Sequence, residues 1–302
     1  MQRPPSLQQH DKAVILSPAG KIETSLVHNA AAVLESWGLC VVTGAHALQD
    51  AGRFSGTVEE RLEDLQKAFD DPEVKLILCS RGGYGTVHLV DRIDFSGIRK
   101  NPKWVVGYSD ITALHAALQT QGIASVHGPM AKHFSEEGGD DTSVRLTKSM
   151  LYGEPLSYEI PVTVQQHDCN RQGYATGRVF GGNLAVFCSL LGSPYAKIPH
   201  RGILFIEDTG EAPYRVDRMI WQLKLAGVFD RISGLIVGQF TDYEEDDQMY
   251  LPLRQSLLEV VREYGFPVCF DFPVGHVRLN YPLLMGMEAS LNVYADHILF
   301  KQ

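Results

Sequence analysis

The segment VVGYSDIT, residues 105–112, joins an apolar run to a helix-like stretch through a sharp turn that carries the hydroxyl of Ser109. A serine there stands clear of the carboxyl ends of the strands. The backbone N–H groups at the helix start, that of Asp110 first, face any negative charge developing beside it. This is the layout of a nucleophile elbow, although G-Y-S-D lacks the second glycine of G-x-S-x-G, and a serine acting only as a helix N-cap would have the same local sequence. A second loop, SRGGYG at 80–85, also follows a strand-like run. Gly82 and Gly83 let backbone approach a ligand closely and could supply one oxyanion donor, with Asp110 N–H as the other; a tight strand-to-helix turn is the plainer reading. The loop contains neither G-x-x-x-x-G-K-[ST] nor a complete G-x-G-x-x-G, so nucleotide binding is disfavoured.

Acyl transfer also needs a base and an acid to orient it. Of the eleven histidines, His276 in DFPVGHVR and His127 in SVHGPM follow strand-like runs and belong to loops, where a ring nitrogen can reach a neighbour. Glu207 and Asp208 end the apolar run GILFIED, at the mouth of a buried strand. His127 and His133 with Glu136, or the acidic run Asp242–Asp247, match neither H-E-x-x-H nor an EF-hand loop, and the acidic run reads as an exposed loop. No metal or cofactor is expected.

These residues need a scaffold, and the sequence describes an α/β one. From Ala13, short β-branched runs alternate with helical ones: AVIL at 13–16, a helix from about 23 to 37, LCVVT at 39–43 and TVEERLEDLQKAFD from Thr57. Thr57 and Glu60 have capping-box spacing, and VKLILC at 74–79 suits a strand buried on both faces. KWVVGY, ITALHAALQT and ASVHG complete a doubly wound parallel unit. Periodicity weakens between about 150 and 172, which places a domain crossover there and divides the chain into 1–155 and 156–302. The second part reads as a mixed α/β domain rich in short strands. It includes the buried strand GLIVGQF and a helix opened by Pro213 with an apolar stripe of Val216, Met219, Ile220 and Leu223. The first twelve residues read as a loose tail.

The 302 residues carry a net charge of −9, with 44% hydrophobic and 21% charged residues. That balance excludes disorder and argues against a broad nucleic-acid or anionic-membrane surface. No apolar run reaches bilayer length and the opening MQRPPSLQQHDK has no signal-peptide core, so a cytoplasmic protein is expected. The five cysteines form no C-x-x-C pair. Cys40, Cys79, Cys188 and Cys269 sit in apolar segments, so free buried thiols are expected.

Taken in order, SPAG, FSGTVEERLEDL, RGGYG, GYSD, HGPM, GGNL, LFIED and VGH resemble the LD-carboxypeptidase family over nearly the whole chain. The resemblance implies a serine peptidase of murein recycling that removes the terminal D-alanine of an L,D-linked tetrapeptide, and a homodimer. Similar relatives instead hydrolyse microcin-type peptidyl nucleotides. Carried over residue by residue, it assigns Ser109 as nucleophile, Glu207 as acid and His276 as base. An oxyanion hole comes from Asp110 N–H and an amide of Gly82 or Gly83. The nucleophile then falls in the first domain and its partners in the second. Asn183 of GGNL is expected to be structural, and Arg81 and Arg278 could anchor a substrate carboxylate or merely brace loops. The competing class is a two-domain binder of a small ligand that does no chemistry.

Overall fold

The computed structural model describes residues 1–163 and 169–302. They fall into two compact units. One is Met1–Glu154 with Arg278–Met285, the other Pro155–Val277 with Gly286–Gln302. Residues 164–168 of the expected crossover lie outside the described residues.

In the first unit, strands β1 (Lys12–Leu16), β2 (Cys40–Thr43), β3 (Val74–Cys79), β4 (Trp104–Gly107) and β5 (Ser125–His127) alternate with helices. These helices are α1 (Thr24–Ser36), α2 (Val58–Asp70), α3 (Ser96–Lys100) and α4 (Thr112–Thr120). Helices α5 (Ala131–Ser135) and α6 (Thr142–Leu151) follow. The strand order is β11-β5-β4-β3-β1-β2, parallel except at the returning edge strand β11 (Leu283–Met285), which runs antiparallel to β5. The continuous apolar runs that predicted two-sided burial are the central strands. Thr57 and Glu60 form both bonds of the capping box that starts α2.

The second unit carries strands β6 (Ser157–Pro161), β7 (Gly173–Asn183), β8 (Gly202–Thr209), β9 (Ile232–Thr241), β10 (Val268–Cys269), β12 (Glu288–Val293) and β13 (His297–Lys301). Its helices are α7 (Leu184–Leu190), α8 (Pro213–Leu225) and α9 (Leu253–Val260). The order β10-β9-β8-β7-β12-β13-β6 joins a parallel half to an antiparallel half. Pro213 opens α8, whose buried Val216, Ile220 and Leu223 pack with Phe180, Leu204 and Phe229, while Met219 is only partly buried. Each unit therefore has its own sheet, and the α/β class expected from the sequence is the one observed.

Two local expectations fail. The N-terminal segment is docked rather than loose: Leu7 is buried, Gln2 bridges to Ile123, and Trp104 Nε1 donates to the Pro5 carbonyl at 2.8 Å. Cys40 is exposed because its strand is a sheet edge, whereas Cys79, Cys188 and Cys269 are buried, and all five thiols are free. Burial pushes the Cys79 and Cys188 thiols up to about 12, which removes them as nucleophiles at ordinary pH.

Candidate active site

Strand β4 ends at Gly107, and the chain enters α4 through Tyr108 and a 3₁₀ turn, Ser109–Ile111. Ser109 takes φ of 64°, a left-handed conformation that is uncommon outside glycine and costs free energy unless the surroundings hold it. The residues at the two cap positions, Tyr108 before the 3₁₀ turn and Ile111 before α4, make no side-chain capping bond.

The surroundings hold it closely. A Cβ on Gly82 would lie 2.8 Å from Ser109 Cβ, 2.9 Å from its Oγ and 3.2 Å from the Asp110 nitrogen, so only glycine fits. Gly82, Ser109 and Asp110 thus lie side by side. Gly83 lies beside Gly20 with φ of 101°, and Gly20 N–H donates to the Gly82 carbonyl at 2.9 Å. The buried Asp110 carboxylate accepts from Thr86 N–H at 2.8 Å and so ties the two loops together.

Glu207 and His276 form a contact in the second unit. The β8–β9 register slips at Glu207: Ile206 pairs with Val237, but Asp208 pairs with Phe240. The extra residue is on β9, where Gly238 and Gln239 together oppose Glu207. Glu207 is fully buried, and its Oε2 lies 2.7 Å from His276 Nδ1. A carboxylate only accepts, so Nδ1 carries the proton and Nε2 is the basic nitrogen. Glu207 Oε1 has no hydrogen-bond partner among the described residues, which leaves the imidazole as the acid's principal contact. Glycines again set the fit. A Cβ on Gly275, whose φ is 124°, would lie 2.9 Å from Glu207 Oε2, and one on Gly238 would lie 3.2 Å from Glu207 Cβ.

Burial disfavours the charged imidazole, but the Glu207 hydrogen bond and charge, helped by Asp208 and Asp242, outweigh it and raise the pKa of His276. Asp208 belongs to the scaffold. It accepts from Asn183 Nδ2 at 2.9 Å, Ala185 N at 3.0 Å and Thr209 N at 2.8 Å, and burial pushes its pKa up to about 6. Asn183 caps α7 by accepting from Val186 N–H, a structural role as expected.

The remaining sequence candidates fall elsewhere. His127 and His133 are buried around the Tyr108 ring, at centroid distances of 5.7 Å each. Arg81 donates to the Lys21 carbonyl at 2.7 Å, and Arg278 faces Asp141 at 3.9 Å, so each has a local partner. Asp242–Asp247 is mostly exposed. Among the described residues, no three His, Cys, Asp or Glu side chains are grouped to hold a metal.

Sequence reasoning missed Arg61 and His115. Arg61 is 2% exposed; its Nη1 donates to the carbonyls of Pro18 at 2.7 Å and Gly85 at 3.0 Å, joining the SPAG and RGGYG loops. His115 braces β4 and β5. Both had a legible signal, a polar side chain on the apolar stripe of a helix.

Comparison with known proteins identifies the family. The LD-carboxypeptidase N-terminal domain matches residues 14–128 and the C-terminal domain residues 176–291, together more than half of the chain. The chain belongs to the LD-carboxypeptidase family. A probable murein peptide carboxypeptidase of Bacillus subtilis is 36% identical over 96% of this chain and 91% of its own. The crystal structure of muramoyltetrapeptide carboxypeptidase from Oxalobacter formigenes superposes with a TM-score of 0.86 at 29% identity, covering 96% of this chain and 98% of that one. The microcin C7 self-immunity protein in complex with aspartyl sulfamoyl adenosine shares the fold, with a TM-score of 0.86 at 23% identity over 99% and 98% of the two chains. This LD-carboxypeptidase is accordingly a serine-type hydrolase. None of its described helices is long and apolar enough to cross a membrane.

Proposed function

We propose that this enzyme releases the terminal D-alanine from L,D-linked murein tetrapeptide, using Ser109 as nucleophile, His276 as base and Glu207 as the acid that orients it. The nucleophile comes from the first unit and its two partners from the second. The observation that carries the chemistry is the 2.7 Å contact between buried Glu207 and His276 Nδ1, which leaves Nε2 as the proton acceptor. Relatives named for murein peptides support the substrate class.

In the proposed sequence, His276 Nε2 takes the Ser109 proton as Oγ attacks the carbonyl preceding D-alanine. The amides of Asp110 and of the Gly82–Gly83 pair hold the tetrahedral oxyanion, and loss of one such donor costs about 3 kcal/mol in the transition state. The imidazolium returns its proton to the departing amine. Water then hydrolyses the acyl-enzyme by the same base. Glu207 orients the imidazole and stabilises the imidazolium. We further propose that the enzyme works in the cytoplasm in peptidoglycan recycling and assembles as a homodimer.

Hydrolysis of a peptidyl nucleotide is the second reading, supported by the fold shared with the microcin self-immunity protein. The loop Asp242–Gln248 weighs against it. With Glu211, its carboxylates line a cleft of about 960 Å³ and repel a phosphate-bearing ligand. The test offers the tetrapeptide, its all-L diastereomer and a peptidyl adenylate, with assay of free D-alanine and released nucleotide. D-alanine release from the L,D-peptide alone is expected; nucleotide release without D-alanine would overturn the murein assignment. A fluorophosphonate probe separates an enzyme from a binder, since labelling at Ser109 requires an activated hydroxyl.

A further inference from the structure

His115 lies on α4, 1% exposed, within the apolar sequence ITALHAAL. Its Nε2 is 2.8 Å from the Gly107 carbonyl and its Nδ1 2.8 Å from Ser125 Oγ. A carbonyl only accepts, so Nε2 carries the proton, Nδ1 accepts from the serine hydroxyl, and the ring is neutral in a single tautomer. Burial lowers its pKa to about 4, which keeps it neutral across the working range.

We infer that His115 is a positioning residue for the nucleophile, acting by pinning the strand end from which the Tyr108–Ser109 turn departs. Three observations converge on Gly107. Its carbonyl accepts from His115 and also from Gly128 N–H at 3.1 Å. A Cβ there would lie 3.0 Å from both Cys79 Cβ and Ile111 Cγ1, so the residue is clamped between β3 and the turn. Two residues later the chain takes the left-handed conformation of Ser109, which persists only where neighbouring structure over-determines it. The imidazole is shaped for this work. One ring bridges α4 to both β4 and β5, so the helix that follows the turn is tied to the strand that precedes it. A neutral donor supplies this brace without placing a buried charge under the nucleophile.

The inference rests on Ser109 being the nucleophile, and the experiment keeps the two apart. The labelling rate of Ser109 by a fluorophosphonate, together with kcat and KM, is measured for wild type, His115→Leu and His115→Gln. The glutamine amide retains a donor within reach of the Gly107 carbonyl. A displacement of the reacting group by about 1 Å costs on the order of 10²-fold, so His115→Leu should slow labelling and lower kcat by roughly that factor with KM nearly unchanged. His115→Gln should recover most of the loss. A His115→Leu protein that melts cooperatively yet labels at the wild-type rate would overturn the inference, as would equal losses in both variants. Should the leucine variant fail to fold, nitrogen chemical shifts of His115 in the wild-type protein still decide: an Nδ1–H tautomer removes the proposed donor. An unlabelled wild-type enzyme would overturn the Ser109 assignment itself.

Discussion

The turn proposed to carry the nucleophile and the pair proposed as acid and base solve opposite problems. At Ser109 the backbone does the positioning, through a left-handed residue, a glycine pressed against Oγ and a doubly bonded Gly107 carbonyl. At His276 the side chains do it, through a carboxylate sealed from water and hydrogen-bonded to one ring nitrogen. A nucleophile has to be aimed, which is a matter of tenths of an ångström, whereas a base has to be tuned, which is a matter of charge. The two regions should therefore fail differently under mutation.

The largest effects are expected from removing the groups proposed to react. Ser109→Ala and His276→Ala should each lower kcat about 10⁴-fold or more, and the double variant should be little worse than either, because groups acting as one unit are strongly non-additive. Multiplicative losses in single-turnover assays would show that the serine and histidine belong to different steps. Adding one methyl group sharpens the comparison. Gly82→Ala places a carbon against Ser109, and Gly275→Ala places one against Glu207 Oε2 at a residue with φ of 124°. Each should cost roughly 10²-fold in kcat. Only Gly275→Ala should move the acid limb of the kcat/KM profile, downward, as His276 loses the carboxylate that raises its pKa; equal movement in both would erase the proposed division of labour.

Much of this was legible in the sequence, and the limits have a physical pattern. The alternation of apolar runs and helical stretches, the Thr57–Glu60 box and Pro213 at a helix start are local signals, and each marks the element it predicts. The turn around Ser109 and the loop around Gly82 are local too. What escaped was pairing at long range. The strand Leu283–Met285 returns to β5 over more than 150 intervening residues, and three residues carry no periodicity of their own. The N-terminal segment is ordered by a hydrogen bond from Trp104 to Pro5 that no local pattern announces. Cys40 is exposed against expectation because an edge strand and a central strand share the same apolar composition. Ser109, Glu207 and His276 stand out as a proposed set only through their ordered resemblance to a family, since spacing alone leaves many histidines to choose from.

The smallest expected effect tests the tuning directly. His276 must be neutral to accept a proton, so activity falls as pH drops through its folded pKa, and because that pKa is raised the acid limb should lie above pH 6.5. Asp242 contributes to the rise from the exposed acidic loop, in a left-handed conformation that asparagine also tolerates. Asp242→Asn should shift the limb down by a few tenths of a pH unit, roughly what one solvent-screened charge supplies, and kcat at high pH should not change. About 1 M salt should produce most of the same shift in the wild-type enzyme, since it screens the exposed carboxylate far more than the buried Glu207. A limb that ignores both the substitution and the salt would mean that the buried carboxylates of Glu207 and Asp208 set the base, and the acidic loop would then have no part in tuning it.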